Sequence, residues 1–248
     1  MKEPKTASFE DTWGKREFIE GWDTRMDWQR PLREMQLKMV DLMIPAPQDA
    51  PIKLLDVCGG YGALALFLLD RRPHATALCI DASEAMLSMG RERSAHLGTR
   101  VEFAYGSLES AEWLKSVVGV FDAVVSSRAL HHFTPHQRRR GIYAEIYTLL
   151  RPGGCFINSD NMKGVTDSLH QRYRHAGDRL LAEFVHEQTG GKKTLAQVKK
   201  ENQLPPHGPH DNGRLDQELA WLRELGYEDV DCFWKFGNYA VYGGFRPS

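Results

Sequence analysis

The sequence predicts an α/β fold built on a doubly wound, mostly parallel sheet, and three observations support this prediction. Short apolar runs alternate with helical runs from Ile52 to about residue 160. A glycine turn joins the first apolar run, IKLLDV, to the helical run ALALFLLD, which is typical of a βαβ unit with parallel strands. Near the end of the chain, two β-rich runs flank Gly237-Asn238, which indicates an antiparallel hairpin.

The elements between these points follow a regular order. After the strand that ends at Asp81, we expect an amphipathic helix from about Ser83 to Leu97, the strand VEFA and a short helix from Glu109 to Val118. The strand FDAVVSS, a helix from Pro135 to Leu150 and the strand GCFINS complete five strands that alternate with helices. Central strands that are apolar on both sides indicate a sheet covered by helices on both faces.

Two segments lie outside this alternation. Residues 1–50 contain a helix-like stretch from Trp13 to Met43, rich in Trp and Arg, and we expect it to form a helical lid. Packing of this stretch against the sheet is the alternative. Residues 161–213 are a predicted helical insertion before the last helix and hairpin at 214–248, so that 51–160 is the ligand-binding core of a single domain spanning 1–248.

The composition is that of an ordinary globular protein. With 42% hydrophobic and 26% charged residues, the chain is neither disordered nor a coiled coil. A net charge of −1 gives no overall attraction for nucleic acid or an anionic membrane. No run reaches the ~20 apolar residues that span a bilayer, so we expect a cytoplasmic protein without a membrane or nucleic-acid partner. The four cysteines are far apart, which indicates buried free thiols.

The segment GYGALA, which begins at Gly60, fits the loose pattern G-x-G-x-x-G/A between a strand and a helix. Such a turn serves nicotinamide dinucleotides and S-adenosylmethionine (SAM), and a tight turn without a ligand also shows it. Asp56 distinguishes between these two candidate ligands. Its carboxylate would repel the pyrophosphate of a dinucleotide but complements the ammonium and sulfonium of SAM. The sign of this charge favours SAM.

Asp81 ends the second strand. A carboxylate at this position accepts hydrogen bonds from both ribose hydroxyls of an adenosine-type ligand, whichever of the two cofactors is bound. It can also cap the helix that begins with SEAML. Asp81 therefore indicates an adenosine-bearing ligand without choosing between SAM and a dinucleotide.

The runs LLDVCGGYG, CIDASEAML, FDAVVSSRALHHF and LLRPGGCFI, in this order between Ile52 and Asp160, resemble the motifs of the class I SAM-dependent methyltransferase superfamily, in its small-molecule, UbiE-like and type 11/12 branch. The resemblance implies a Rossmann-like, seven-stranded sheet of order 3-2-1-4-5-7-6, with SAM as the cofactor and S-adenosylhomocysteine (SAH) as its product. The cofactor-binding residues that it implies are Asp56, Gly59, Gly60, Gly62, Asp81, Ala82, Ser107, Leu108, Ser127 and Arg128.

Several positions depart from the patterns of related enzymes. Ser107 stands where the superfamily usually has an acid near the adenine, although its hydroxyl can still bond the adenine amino group. Cys58 stands where glycine is usual. The tetrapeptide of adenine-modifying enzymes, Asn/Asp-Pro-Pro-aromatic, is absent from the sequence. Asp160-Asn161 resembles half of a magnesium site but lacks the partner acid, so no metal is predicted.

SAM is activated by its own sulfonium, so the protein must chiefly align the acceptor with the methyl group. His131 and His132 follow the fourth strand, at the edge where open α/β sheets bind ligands. They are candidate catalytic bases for a hydroxyl or ammonium acceptor, and the alternative is that they cap the adjacent helix. The candidate substrate-binding residues are Trp22, Arg25, Trp28, Arg33 and Asp160.

The predicted function is therefore SAM-dependent methyl transfer to an oxygen or nitrogen atom of a small molecule. The run 138–140 of three arginines, with lysine pairs at 192–193 and 199–200, leaves an RNA or protein methyltransferase open, and a solvated helix face is the alternative. His207 and His210 are expected in the lid rather than on a metal. A non-catalytic SAM-binding module and an NAD-dependent oxidoreductase are the remaining alternatives.

Overall fold

The computed structural model describes residues 13–27, 30–133, 136–201 and 212–248, with side chains at 13–21, 32–133, 136–198, 200 and 212–248. A seven-stranded sheet of order β3-β2-β1-β4-β5-β7-β6 runs through it, which confirms the predicted order. The first five strands are parallel, and β7 is antiparallel to both of its neighbours. The strands are β1 (Lys53–Val57), β2 (Thr76–Asp81), β3 (Val101–Tyr105), β4 (Phe121–Ser127), β5 (Leu150–Asn161), β6 (Glu228–Phe236) and β7 (Tyr239–Phe245).

Helices precede, connect and follow these strands. The α-helices are α1 (Arg16–Asp27), α2 (Arg30–Met43), α3 (Ala63–Arg71), α4 (Glu84–Arg93), α5 (His136–Leu149), α6 (Asp167–Thr189), α7 (Leu195–Glu201) and α8 (Leu215–Glu224). Short 3₁₀ turns lie at Ala95–Arg100, Ala111–Ser116 and Leu130–His132. No described helix is long and apolar enough to cross a membrane.

The core lies on both faces of the sheet because side chains alternate along each strand. On one face, Leu55 and Val57 pack with residues of α5 and α8. On the other face, Leu54 packs with residues of α2 and α3. The central strands are buried on both faces, as their apolar sequences predict.

The N-terminal segment differs from the single helical stretch predicted between Trp13 and Met43. It forms α1 and α2, and α2 places Leu37 and Val40 in the core beside the sheet. In contrast, α1 lies on α4, where Ile19 contacts a small separate cluster that includes Tyr61. Helix α2 therefore packs against the sheet, which was the alternative that the sequence left open. A lid role for α1 stays a prediction.

Three predicted boundaries also differ from the structure. The helix expected at 109–118 is the 3₁₀ turn Ala111–Ser116, and the helix expected to reach Leu97 ends at Arg93. Strand β5 begins at Leu150, which pairs with Phe121 of β4, and it includes the residues predicted as a turn before GCFINS, where the pairing with β4 is interrupted by a register shift. The described part of the insertion contains α6 and α7, as two polar helical stretches predict.

A buried polar network joins α5 to α8. Glu218 and Arg139 are almost fully buried, and their charged groups lie 3.1 Å apart. The Tyr143 hydroxyl donates to Oε2 of Glu218 at 2.6 Å. Tyr242 on β7 lies 2.8 Å from the Tyr143 hydroxyl, so the network extends into the sheet. This network fixes the helix that follows the insertion.

Candidate functional site

The carboxylate of Asp56 lies at the carboxyl end of β1, buried beneath the start of α3. Its Oδ2 atom accepts a hydrogen bond from the backbone N–H of Ala65 at 3.1 Å, and its Oδ1 atom is buried without a hydrogen-bond partner among the described residues. The pKa of Asp56 is raised from 3.8 to about 7, chiefly by burial and also by the nearby charge of Asp81, while the hydrogen bond from the Ala65 N–H lowers it in part. A cationic donor placed beside Oδ1 would therefore stabilise the ionised form of Asp56.

The turn after β1 brings the backbone close to this carboxylate. A Cβ atom on Gly59 would lie 2.8 Å from Cγ of Asp56, so only glycine fits there. Gly60 has a φ of +58°, which favours glycine, and Gly62 immediately precedes α3. Cys58 has a φ of 53°, so the cysteine that replaces the usual glycine adopts a strained, left-handed conformation.

Asp81 ends β2 and binds the turn that follows β1. Its Oδ2 atom accepts from the Gly60 N–H at 2.9 Å, and its Oδ1 atom accepts from the Ser83 N–H at 2.8 Å. Burial raises the pKa of Asp81, while these N–H groups and that of Ala82 lower it in part. Ser83 itself caps α4 through its side chain, so the cap expected near SEAML belongs to Ser83.

His131 and Asp160 form a hydrogen-bonded pair at the carboxyl ends of β4 and β5. Nδ1 of His131 lies 2.6 Å from Oδ1 of Asp160, and both side chains are buried. The backbone N–H of His131 donates to Oδ2 of Asp160, and that of Asn161 donates to Oδ1. Burial acts to raise the pKa of Asp160, but His131 and the Asn161 N–H outweigh it, so the net pKa of Asp160 is lowered. Asp160 therefore stays ionised beside the imidazole.

The sequence predicted His131 and Asp160 in separate roles and missed their contact. His131 follows β4 and Asp160 lies at the carboxyl end of β5, the neighbouring parallel strand, and this shared edge was the signal that could have paired them. His132 is half-buried, with its ring 4.1 Å from that of His131 and 6.4 Å from that of Trp13. The carboxylate of Asp160 accepts hydrogen bonds from His131. Direct contact of Asp160 with the methyl acceptor stays a prediction.

The other predicted cofactor residues lie around the same edge of the sheet. Ser127 pairs with Ser159 of β5, and Ser107 follows β3 with its side chain half-buried. The side chain of Leu108 is buried in the core, so only its backbone can face an adenine. The roles of Ala82, Ser107, Leu108, Ser127 and Arg128 in cofactor binding stay predictions.

The predicted substrate residues are only partly described. Arg33 is half-buried in the first turn of α2. Trp22 and Arg25 lie in α1, but their side chains are outside the described part of the chain, as is Trp28 altogether. His207 and His210 also lie outside the described residues. Among the described residues, no group of three or more His, Cys, Asp or Glu side chains could hold a metal ion.

The three arginines at 138–140 do not form a free basic surface. Arg138 pairs with Glu145 at 2.6 Å, and Arg139 is buried against Glu218. Arg140 lies 3.4 Å from Glu224. Each of the three arginines therefore has a carboxylate partner. Only Arg140 lies on an exposed helix face, which was the alternative expected for this run.

The donor and acceptor groups of this edge fit the ligand that the sequence predicts. Asp56 offers a buried carboxylate oxygen to a cation, and the glycine turn lets a ligand approach the backbone. Asp81 has about two lone-pair positions left for ribose hydroxyls. An ammonium, a sulfonium and a ribose are the three groups that SAM would present to these residues.

Comparison with known proteins agrees with this geometry. Residues 54–154 match a family model described as a methyltransferase domain. A carboxy-S-adenosyl-L-methionine synthase from Campylobacter lari is 23% identical, over 87% of this chain and 86% of that protein. A ubiquinone/menaquinone biosynthesis C-methyltransferase, UbiE, from Cereibacter sphaeroides is 34% identical over 118 residues, which cover 47% of this chain and 44% of the relative.

Among solved structures, an O-methyltransferase family protein from Burkholderia thailandensis superposes with a TM-score of 0.61 at 21% identity. The match covers 95% of this chain and 64% of that one. It therefore supports the fold, while this chain spans less than two thirds of the solved chain and less than half of the C-methyltransferase.

Proposed function

This chain belongs to the class I SAM-dependent methyltransferase superfamily, enzymes whose methyl donor is SAM, and we propose that it methylates an oxygen or nitrogen atom of a small molecule. The observation that carries this proposal is the 2.6 Å contact between Nδ1 of His131 and Oδ1 of Asp160. A hydroxyl or protonated amine must lose a proton when it is methylated, and a carboxylate-oriented imidazole is suited to accept it.

The proposed roles follow from the hydrogen bonds. Ionised Asp160 accepts the Nδ1–H of His131, which leaves Nε2 as the basic nitrogen. SAM supplies an electrophilic methyl group when bound. Asp56 and Asp81 would hold its cationic and ribose parts, while His131 takes the proton of the acceptor at Nε2. Asp160 then stabilises the imidazolium that forms.

The test measures transfer of a labelled methyl group from SAM to small molecules in a filtered extract. We expect His131→Ala to lower the rate by about 10²–10⁴-fold and Asp160→Asn to lower it less, with the SAH affinity nearly unchanged. His96→Ala, at an exposed histidine, is the matched control. Wild-type turnover in His131→Ala would refute the base, and SAH binding without any methylated product would indicate a binding module.

A second candidate function is the formation of a carboxylated SAM, in which a carboxyl group taken from a carboxylic-acid donor would replace a proton of the SAM methyl group and the donor would leave without its carboxyl group. It is favoured by one observation, namely that the relative named carboxy-S-adenosyl-L-methionine synthase matches most of both chains. Mass spectrometry of the cofactor after the reaction distinguishes the two, because this function changes the mass of SAM without a methylated acceptor. We propose that the reaction takes place in the cytoplasm.

The RNA methyltransferase alternative is tested by measuring tRNA binding at several salt concentrations. Binding that is absent or independent of salt would exclude it.

A further inference from the structure

The segment that follows β3 is held against the end of β2. The backbone N–H of Gly106 donates to the Asp81 carbonyl at 3.0 Å. A Cβ atom on Gly106 would lie 2.6 Å from Cγ2 of Ile80, so the two backbones approach each other at a distance that only glycine allows. Ser107 and Leu108 follow directly, next to the acid that is expected to bind the ribose. This place agrees with the adenine position that the sequence predicts for them.

Leu108 is fixed through its side chain and its carbonyl. The side chain is buried in the core, and the carbonyl accepts a hydrogen bond from Nε of Arg138 at 2.5 Å. None of the backbone hydrogen bonds of the described residues uses the Leu108 N–H. Because the side chain and the carbonyl are both fixed, the N–H of Leu108 has a defined direction and is the group that stays available for a ligand.

One ion pair on α5 holds this segment at two points. Nη1 and Nη2 of Arg138 donate to the two carboxylate oxygens of Glu145 at 2.6 and 2.7 Å. Glu145 also accepts a hydrogen bond from Nε1 of Trp113, in the 3₁₀ turn after Leu108, at 2.6 Å. Both charged side chains are mostly buried. The two bonds to Glu145 orient the planar guanidinium, so that its Nε atom points at the Leu108 carbonyl.

Hydrogen bonds to one edge of the base can distinguish adenine from its deaminated form, hypoxanthine. Adenine presents an amino group at C6 and an acceptor at N1, whereas hypoxanthine presents a carbonyl at C6 and an N–H donor at N1. A hydroxyl group donates or accepts, so that of Ser107 suits both bases. A backbone N–H only donates, so that of Leu108 suits N1 of adenine and opposes the N1–H of hypoxanthine. Selection between the bases therefore depends on Leu108.

We propose that Arg138, oriented by Glu145, is a positioning residue that makes the cofactor site selective for adenine, because it directs the N–H of Leu108 towards N1 of the base. The inference rests on the predicted place of Ser107 and Leu108 at the adenine. It concerns the methyl donor alone and is independent of the acceptor and of the proposed base.

The experiment measures by calorimetry the affinities for SAH and for S-inosylhomocysteine, the analogue of SAH that carries hypoxanthine. We expect the wild type to bind SAH about 10–100-fold more tightly, because two donors face each other when the analogue is bound. Arg138→Met should reduce this preference to less than about 3-fold, chiefly by weakening SAH binding. Arg138→Lys keeps the charge but loses the planar fork, so part of the preference should remain. Arg140→Met, at an exposed arginine of the same helix, should keep all of it.

Two further variants decide the question if Arg138→Met does not fold, which urea denaturation reveals. Glu145→Gln loses the charge that orients Arg138, so it should lower the preference in part. Ser107→Ala should weaken both ligands alike and keep the preference, because the hydroxyl suits both bases.

Equal binding of the two ligands by the wild type would overturn the inference. An equal weakening of both ligands in Glu145→Gln and in folded Arg138→Met would also overturn it, since a purely structural role predicts that result. A preference that disappears in Ser107→Ala would assign the selection to Ser107 instead. A wild-type protein that binds neither ligand would contradict SAM as the cofactor, and the proposed function with it.

Discussion

The Oδ2 atom of Asp81 accepts a hydrogen bond from the backbone N–H of Gly60 at 2.9 Å, so the acid at the end of β2 also holds the glycine turn that follows β1. Its Oδ1 atom accepts from the Ser83 N–H. One side chain thus orders the loop that the ligand approaches and keeps lone pairs for the ligand itself. Ligand affinity should depend on Asp81 through both contributions.

Replacement of Asp81 should weaken SAH binding strongly. We expect Asp81→Ala to lower the affinity by about 10–100-fold, which corresponds to the loss of hydrogen bonds to a charged acceptor. Asp81→Asn should lose less, since the amide keeps one acceptor oxygen. Calorimetry with SAH measures both, and Glu102→Ala, at an exposed acid on β3, is the control. An unchanged affinity in Asp81→Ala would remove this residue from the ligand site.

The stability of the ligand-free protein should depend on pH through Asp56. Because burial raises the pKa of Asp56 from 3.8 to about 7, the native state binds this proton more tightly than the unfolded state. The corresponding stability is fully present below the unfolded pKa and is lost as the pH rises through about 7. Asp56→Asn should therefore gain about 4 kcal/mol relative to the wild type between about pH 4 and about pH 8.

Urea denaturation at several pH values measures the free energy of unfolding of both proteins. Asp49→Asn, at an exposed aspartate, should follow the wild-type curve. Parallel curves for Asp56→Asn and the wild type would show that Asp56 titrates normally in the folded protein.

The buried pair of Arg139 and Glu218 should matter more to stability than a comparable exposed pair. Glu218→Ala leaves a buried guanidinium without its carboxylate and should cost about 3–5 kcal/mol of unfolding free energy. Glu224→Ala removes the exposed partner of Arg140 and should cost less than about 1 kcal/mol. Urea denaturation compares the two, and similar losses would contradict the burial argument. Adding Arg139→Met to Glu218→Ala should recover part of the loss.

The contact between α1 and α4 should affect the ligand more than the fold. Ile19 is fully buried in a cluster with Tyr61 and two methionines of α4, apart from the two large core clusters. Ile19→Ala should loosen α1 and lower SAH affinity by about 10-fold, equivalent to 1.4 kcal/mol, with little change in the unfolding midpoint. Glu17→Ala, on the exposed side of α1, should change neither. An unaltered SAH affinity in Ile19→Ala would refute a lid role for this helix.

Most of the sheet could be predicted because its signals are local. Apolar runs, the glycine turn and the Gly237-Asn238 hairpin are each encoded within a few residues, and the family resemblance supplied the strand order. The N-terminal helices could not be assigned correctly, since an amphipathic stretch rich in Trp and Arg suits a lid and a packed helix equally. Contacts with distant strands decide between them for Leu37 and Val40.

The sequence by itself determined which edge of the sheet binds the ligand and which class of ligand suits it. Asp56, the glycines and Asp81 lie at strand ends because of the local order of the elements. Only the tertiary structure decided which groups meet there. His131 and Asp160 lie 29 residues apart yet share a hydrogen bond, and the guanidinium of Arg128 lies over the ring of Tyr239 on β7. Such pairs depend on strand register and helix packing over long separations, and hydrophobic periodicity carries no information about which polar side chains these will bring together.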